Sequence, residues 1–117
     1  MFIIRREQLS LLQKQLVEAF ENSAIRRVRK KFPKQTAKST DDHLRLMVRD
    51  AMERAEKYGI NGEDEVTAYL EYMVSFGRDF DGDPSLKRIL RVRNISGTEK
   101  LNRIAQIKSP QYEDSPE

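Results

Sequence analysis

Three aspartates near the middle of the chain have the spacing that comes closest to a metal site. Asp79, Asp81 and Asp83 stand at positions 1, 3 and 5 of a calcium-binding loop pattern. Such a loop needs glycine at position 6 for its sharp turn and a bidentate glutamate at position 12. Pro84 and Leu90 occupy those two positions. We therefore interpret the three acids as turn and capping residues, and expect no metal.

Few other residues suggest catalysis. His43 is the only histidine and the chain has no cysteine, which excludes a cysteine nucleophile and a thiolate zinc site. We expect His43 to lie on the solvent-exposed face of a helix, in its first turn, beside Asp41 and Asp42. The five glycines are isolated, so none belongs to a phosphate-binding loop. The sequence predicts a protein that is not an enzyme and holds no cofactor.

Positive charge is concentrated in residues 26–34, where six of nine residues are Lys or Arg. Cations are favoured at the carboxyl end of a helix, so part of this cluster is structural. A phosphate-binding patch, joined by basic residues 87–93, is the functional alternative. The residues predicted to bind a partner also include Tyr72 and Phe80. We expect Phe80 to anchor the core as well. The predicted partner-binding set is Arg26, Arg27, Arg29, Lys30, Lys31, Tyr72, Phe80, Lys87, Arg88 and Arg91.

The charge is unevenly distributed along the chain, which carries +3 overall. Residues 1–34 carry a net +6, residues 35–84 a net −6 and residues 85–117 a net +3. One interpretation is that these segments neutralise one another within the fold. The other is a polarised surface that steers a charged partner.

Composition favours a small helical domain. The chain has 117 residues, of which 38% are hydrophobic and 35% charged, and it has no tryptophan. A thin aliphatic core of this kind suits packed helices better than stacked sheets. No apolar run approaches the ~20 residues of a membrane span. The first residues put apolar side chains before the charges, unlike a signal peptide, so we expect a cytoplasmic protein.

Apolar residues spaced three or four apart predict a long first helix from about Arg6 to Lys31, ended by Pro33. At ~38 Å, this helix is longer than so small a domain is wide, so we expect its C-terminal part to project or bend. The continuous stripe within residues 3–32 would also allow a homodimer. Its members are Leu9, Leu12, Leu16, Phe20, Ala24 and Val28.

Local signals place the later helices. A second helix is expected after Ser39, with Gly59 ending it in a left-handed conformation, and a third is expected from Asn61 to Gly77. A fourth would run from Asp83-Pro84 to about Arg93, and Ser96 would cap a short fifth. The prediction is an all-α, single-domain bundle of four to five helices over residues 1–108, followed by a disordered acidic tail at 109–117.

Two segments at a characteristic spacing resemble a known family. The segments are Tyr58-Gly59-Ile60 and Phe76 to Pro84 (FGRDFDGDP), and the start, IIRREQ, together with Phe32-Pro33, is similar as well. This combination resembles small helical accessory proteins encoded among bacterial type VI secretion effector genes. The resemblance covers roughly residues 1–84. It implies an adaptor or co-chaperone that helps to hand a toxin to the secretion spike, with no catalytic residues.

Three functions follow from these observations as hypotheses. The first is an adaptor that binds a secreted effector or its chaperone by protein–protein contact. The second is an immunity protein that inhibits a toxin directly, and co-expression with the toxin would distinguish the two. The third is a nucleic-acid-binding protein that uses the basic end of the first helix, for which affinity would fall steeply with salt.

Overall fold

The computed structural model describes residues 11–112 and confirms the predicted all-α class. Within that range the chain forms six α-helices and a single 3-10 turn, with a long first helix as predicted. The elements are α1 (Leu11–Lys31), α2 (Pro33–Thr36), α3 (Asp41–Glu56), α4 (Glu63–Phe76), a 3-10 turn (Phe80–Gly82), α5 (Pro84–Leu90) and α6 (Gly97–Ile107). The helix beyond the predicted four to five is α2, a single turn of four residues.

Helix α4 is central to the bundle. It packs against α1, α3, α6 and the 3-10 turn, while α5 packs on that turn and on α6. The sequence explains this position, because α4 carries buried residues around much of its circumference. They are Val66, Tyr69, Leu70, Glu71, Tyr72 and Met73.

Helix α1 is exposed at its N-terminal end, whereas we expected its C-terminal end to project from the bundle. Phe20, Ala24 and Val28 are buried as the stripe predicts, but Leu12 and Leu16 are exposed. The uncovered part is therefore the N-terminal part, and the predicted projection of the C-terminal part is wrong. The physical reason is that α2 and α3 fold back along the C-terminal half of α1. Leu9 lies outside the described residues.

The start of α3 differs from the prediction by one residue. Thr40, not Ser39, is the N-cap, and its hydroxyl oxygen accepts a hydrogen bond of 3.1 Å from the backbone N–H of His43. An N-cap side chain accepts from an amide two or three residues later, and α3 begins at Asp41, which makes Thr40 the cap. His43 is exposed, as predicted.

Both predicted glycine helix ends are confirmed. Gly59 has φ +77° and Gly77 has φ +102°, a region that side chains with a Cβ rarely adopt. After Gly59, the N–H of Ile60 donates to the carbonyl of Ala55 at 3.0 Å, and the Ile60 side chain is fully buried. This is the hydrogen bond and apolar contact of a Schellman ending. At the start of α4 the N-cap is Gly62, so the predicted cap at Asn61 is wrong.

Helices α5 and α6 begin where the sequence places them. The Asp83 carboxylate accepts from the backbone N–H of Ser85 at 3.0 Å, and the Ser96 hydroxyl accepts from the N–H of Glu99 at 3.0 Å. Helix α5 stops at Leu90 instead of Arg93, because the chain tightens after it into i→i+3 hydrogen bonds such as Val92 N–H to Ile89 C=O.

The segment after α6 lies against the bundle. Gln111 contacts α4 and Tyr112 contacts α1 and α4, within the segment 109–117 that the sequence predicts to be disordered; residues 113–117 lie outside the described range. The backbone N–H of Gln111 donates to the Ser75 hydroxyl at 2.7 Å, and the ring of Tyr112 lies 5.4 Å from that of Phe32. These contacts hold Gln111 and Tyr112 against the bundle.

Candidate functional site

The cations at the end of α1 divide into two groups. Arg27 donates to the carboxylate of Glu71 on α4, and Arg29 donates to Asp41 at 2.7 Å. These two side chains have a structural role, because their ion pairs fix α1 to α4 and to α3. Arg26 and Lys30 are exposed. The Nζ atom of Lys31 lies 5.6 Å from the Tyr112 ring centroid, within cation–π range.

Two aromatic residues of the predicted partner-binding set are buried, so their assignment to a binding surface is wrong. Tyr72 and Phe80 are each less than a tenth exposed, and their rings stack with centroids 5.4 Å apart. The Tyr72 hydroxyl donates to the carbonyl of Lys108 at 2.9 Å. Burial raises the pKa of the Tyr72 phenol. Phe80 is instead the core anchor that the sequence also predicted.

The basic residues of α5 form a separate surface. Lys87 is half-buried, Arg88 and Arg91 are exposed, and with Pro84 and Val92 they line a groove of about 470 Å³. Helix α5 packs on the 3-10 turn and α6, whereas α1 packs on α2, α3 and α4. The predicted site is therefore divided between two parts of the bundle.

A cavity of about 630 Å³ lies next to that groove, where the end of α3 meets α5 and α6. We call it the cationic cavity. Lys57, Arg91 and Arg93 carry its exposed charges, and the fourth cation is Lys100, which is only 6% exposed. The remaining lining residues are Tyr58, Gly59, Leu90 and Val92.

Lys100 is held by backbone carbonyls instead of by a carboxylate. Its ammonium group donates to the carbonyl of Tyr58 at 2.6 Å and to that of Leu90 at 2.7 Å. Burial lowers the pKa of Lys100. Sequence reasoning missed this residue, although a signal existed: Lys100 stands four positions before the buried Ile104 and therefore on the apolar face of α6.

A second cavity, of about 340 Å³, lies between α1 and α4 and has three acids in its wall. Glu63 and Asp64 are exposed, in the first turn of α4. Glu71 is buried, and its carboxylate accepts from Arg27 and, at 2.6 Å, from the Tyr112 hydroxyl. Burial and the bond to Glu71 raise the pKa of Tyr112 to about 12. Glu71 thus joins α1, α4 and the C-terminal segment.

Two more buried acids link elements that are distant in sequence. Glu21 on α1 accepts from Arg45 at 3.0 Å and from Arg49 at 2.9 Å, both on α3. Asp81 in the 3-10 turn accepts from the hydroxyl of Tyr69 at 2.8 Å and from Arg54 at 3.0 Å. Among residues 11–112, no cluster of three or more His, Cys, Asp or Glu side chains is arranged to hold a metal ion.

Of the helices that the structure describes, none has the length and apolar character needed to cross a membrane. No protein-family model, curated protein or solved structure matches this chain. Its function is therefore inferred from its own residues.

Proposed function

We propose that this protein is a non-enzymatic adaptor that binds another protein through an exposed helix surface. The observation that carries the proposal is the uncovered apolar face at the start of α1, where Leu12 is 66% exposed and Leu16 is 47% exposed. The two side chains lie one turn apart on the same face of the helix. Fully burying a leucine side chain contributes about 1.5–3 kcal/mol, so contact with a partner's apolar groove would stabilise a complex.

The proposed partner is a type VI secretion effector or the chaperone of that effector, bound in the cytoplasm before export. The resemblance over roughly residues 1–84 supports this choice. Exposed cations on the same helix, such as Arg26 and Lys30, would orient an acidic partner and increase its association rate.

Tandem purification of the tagged protein from cells that express the neighbouring effector and chaperone tests the proposal. We expect one of the two to be recovered, and we expect the double variant Leu12→Ser and Leu16→Ser to recover much less of it. Ile107→Ser is the matched control, because Ile107 is 55% exposed on α6, a helix that packs on α4 and α5. Recovery of neither protein would contradict the proposal.

A toxin co-expression assay distinguishes the adaptor from the immunity alternative. An adaptor should leave cells sensitive to the co-expressed toxin, whereas an immunity protein should rescue them. Rescue that is lost in the double leucine variant would replace the adaptor proposal with direct inhibition through the same helix face.

A further inference from the structure

The charged side chains that line the cationic cavity are all of one sign. Four of its eight lining residues are Lys or Arg, and none is acidic. By contrast, several arginines of the described bundle are paired with carboxylates: Arg27 binds Glu71, and Arg45 binds Glu21. Like charges brought together around one concave space repel one another, and the low-dielectric wall increases the local potential.

Lys100 is the buried member of this group and lacks a counter-charge within the described residues. The other buried charged residues there, Glu21, Glu71 and Asp81, each have an arginine within ion-pair distance. A lysine ammonium group has three donors. The Tyr58 and Leu90 carbonyls accept two hydrogen bonds from it, and no described carboxylate lies within 4.0 Å.

The two carbonyls explain how Lys100 is held in position. They belong to residues at or just beyond the C-terminal ends of α3 and α5, where helix dipoles favour a cation. A purely structural capping role would account for Lys100 alone. It would not account for Lys57, Arg91 and Arg93 lining the same cavity with no acid among them.

We propose that the cationic cavity binds an oxyanion, either a carboxylate or a phosphate group, which supplies the missing counter-charge to Lys100. The guanidinium groups of Arg91 and Arg93 would provide further donors, since this fork-shaped group matches the oxygens of both anions. Leu90 and Val92 give the wall an apolar part that would contact the rest of the ligand. This inference is independent of the adaptor proposal, which concerns the leucines of α1.

The experiment is a nuclear magnetic resonance titration of the full-length, 15N-labelled protein at constant ionic strength. Inorganic phosphate is one probe, and a blocked tetrapeptide of alternating Asp and Glu is the other, with sodium chloride as the reference salt. We expect saturable shifts of the Gly59 and Val92 amides with at least one probe. Saturation by phosphate alone would assign a phosphate ligand, and tighter binding of the peptide would assign a carboxylate. No saturable shift with either probe would overturn the proposal.

Substitutions locate the binding. Arg91→Gln and Lys100→Met should each weaken the binding of the effective probe at least tenfold. Lys38→Gln, which removes the same charge from an exposed residue between α2 and α3, should leave the affinity unchanged. Should Lys100→Met fail to fold, the double variant Arg91→Gln and Arg93→Gln decides the question, because both side chains are exposed. Equal weakening by Lys38→Gln would indicate diffuse attraction and overturn the site.

Discussion

At the scale of single residues, Asp81 connects the 3-10 turn to α4 and to the C-terminal end of α3. Its Oδ2 atom accepts from the Tyr69 hydroxyl at 2.8 Å and from the Tyr58 hydroxyl at 3.4 Å, while Oδ1 accepts from Arg54. Burial, together with the bond to Asp81, raises the pKa of the Tyr69 phenol well above its ordinary value. Burying a carboxylate destabilises the folded state unless its oxygens accept hydrogen bonds. These donors therefore hold the 3-10 turn in place.

We expect the two tyrosines to contribute unequally. Tyr69→Phe removes a short, fully buried hydrogen bond to a charged acceptor and should lower the free energy of unfolding by about 2 kcal/mol. Tyr58→Phe is the matched control, because it removes a longer bond from the same oxygen and should cost less than about 1 kcal/mol. Urea denaturation measures both values. Equal losses, or a larger loss for Tyr58→Phe, would contradict this account of Asp81.

Buried charges were the least predictable residues. The partners of Glu71 and Asp81 come from other helices, and one sequence shows neither those pairings nor the burial that they require. Glu21 and Lys100 carried a weak signal, because each is a charged residue on an apolar helix face. Exposure of His43, by contrast, followed from its place in the first turn of a helix beside two acids.

At the scale of elements, the ends of the helices follow from local chemistry. Gly59 ends α3, Asp83 caps α5 and Ser96 caps α6, as their residue types and spacing predict. The prediction was wrong at the start of α3, where Ser39 and Thr40 are both competent caps and the choice depends on where the helix begins. The length of α5 depends on the path of residues 91–96, which connect it to α6. No local sequence pattern predicts that path.

Glycine substitutions test whether helix ends are set by backbone conformation. An added Cβ at Gly59 would meet no atom within 4 Å, so Gly59→Ala should lose stability only through its positive φ, by about 1 kcal/mol. Gly82→Ala is the matched control, because its Cβ is also unobstructed and its φ lies outside the positive region. It should change stability by less than about 0.5 kcal/mol. Thermal unfolding of both variants measures the difference, and a Gly82→Ala loss as large as that of Gly59→Ala would refute the conformational explanation.

At the scale of the whole molecule, the uneven charge of the chain is partly neutralised within the fold. The basic first helix contacts the acidic middle through Arg27 with Glu71 and Arg29 with Asp41. These pairs support the first of the two interpretations of the charge pattern. Arg26 and Lys30 on α1, and Arg88, Arg91 and Arg93 on or just after α5, remain exposed.

The C-terminal segment 109–112 contributes to the stability of the whole domain. Truncation after Lys108 removes the Tyr112 hydrogen bond to Glu71 and the Gln111 hydrogen bond to Ser75. It leaves the buried Glu71 carboxylate with one donor fewer, so we expect a loss of about 1–3 kcal/mol in the free energy of unfolding. Truncation after Glu113 is the matched control, because it retains these contacts and should change stability by less than about 0.5 kcal/mol. Urea denaturation compares the two truncations with the full chain. If the shorter chain is as stable as the longer one, the hydrogen bond from Tyr112 to Glu71 contributes nothing to the stability of the fold.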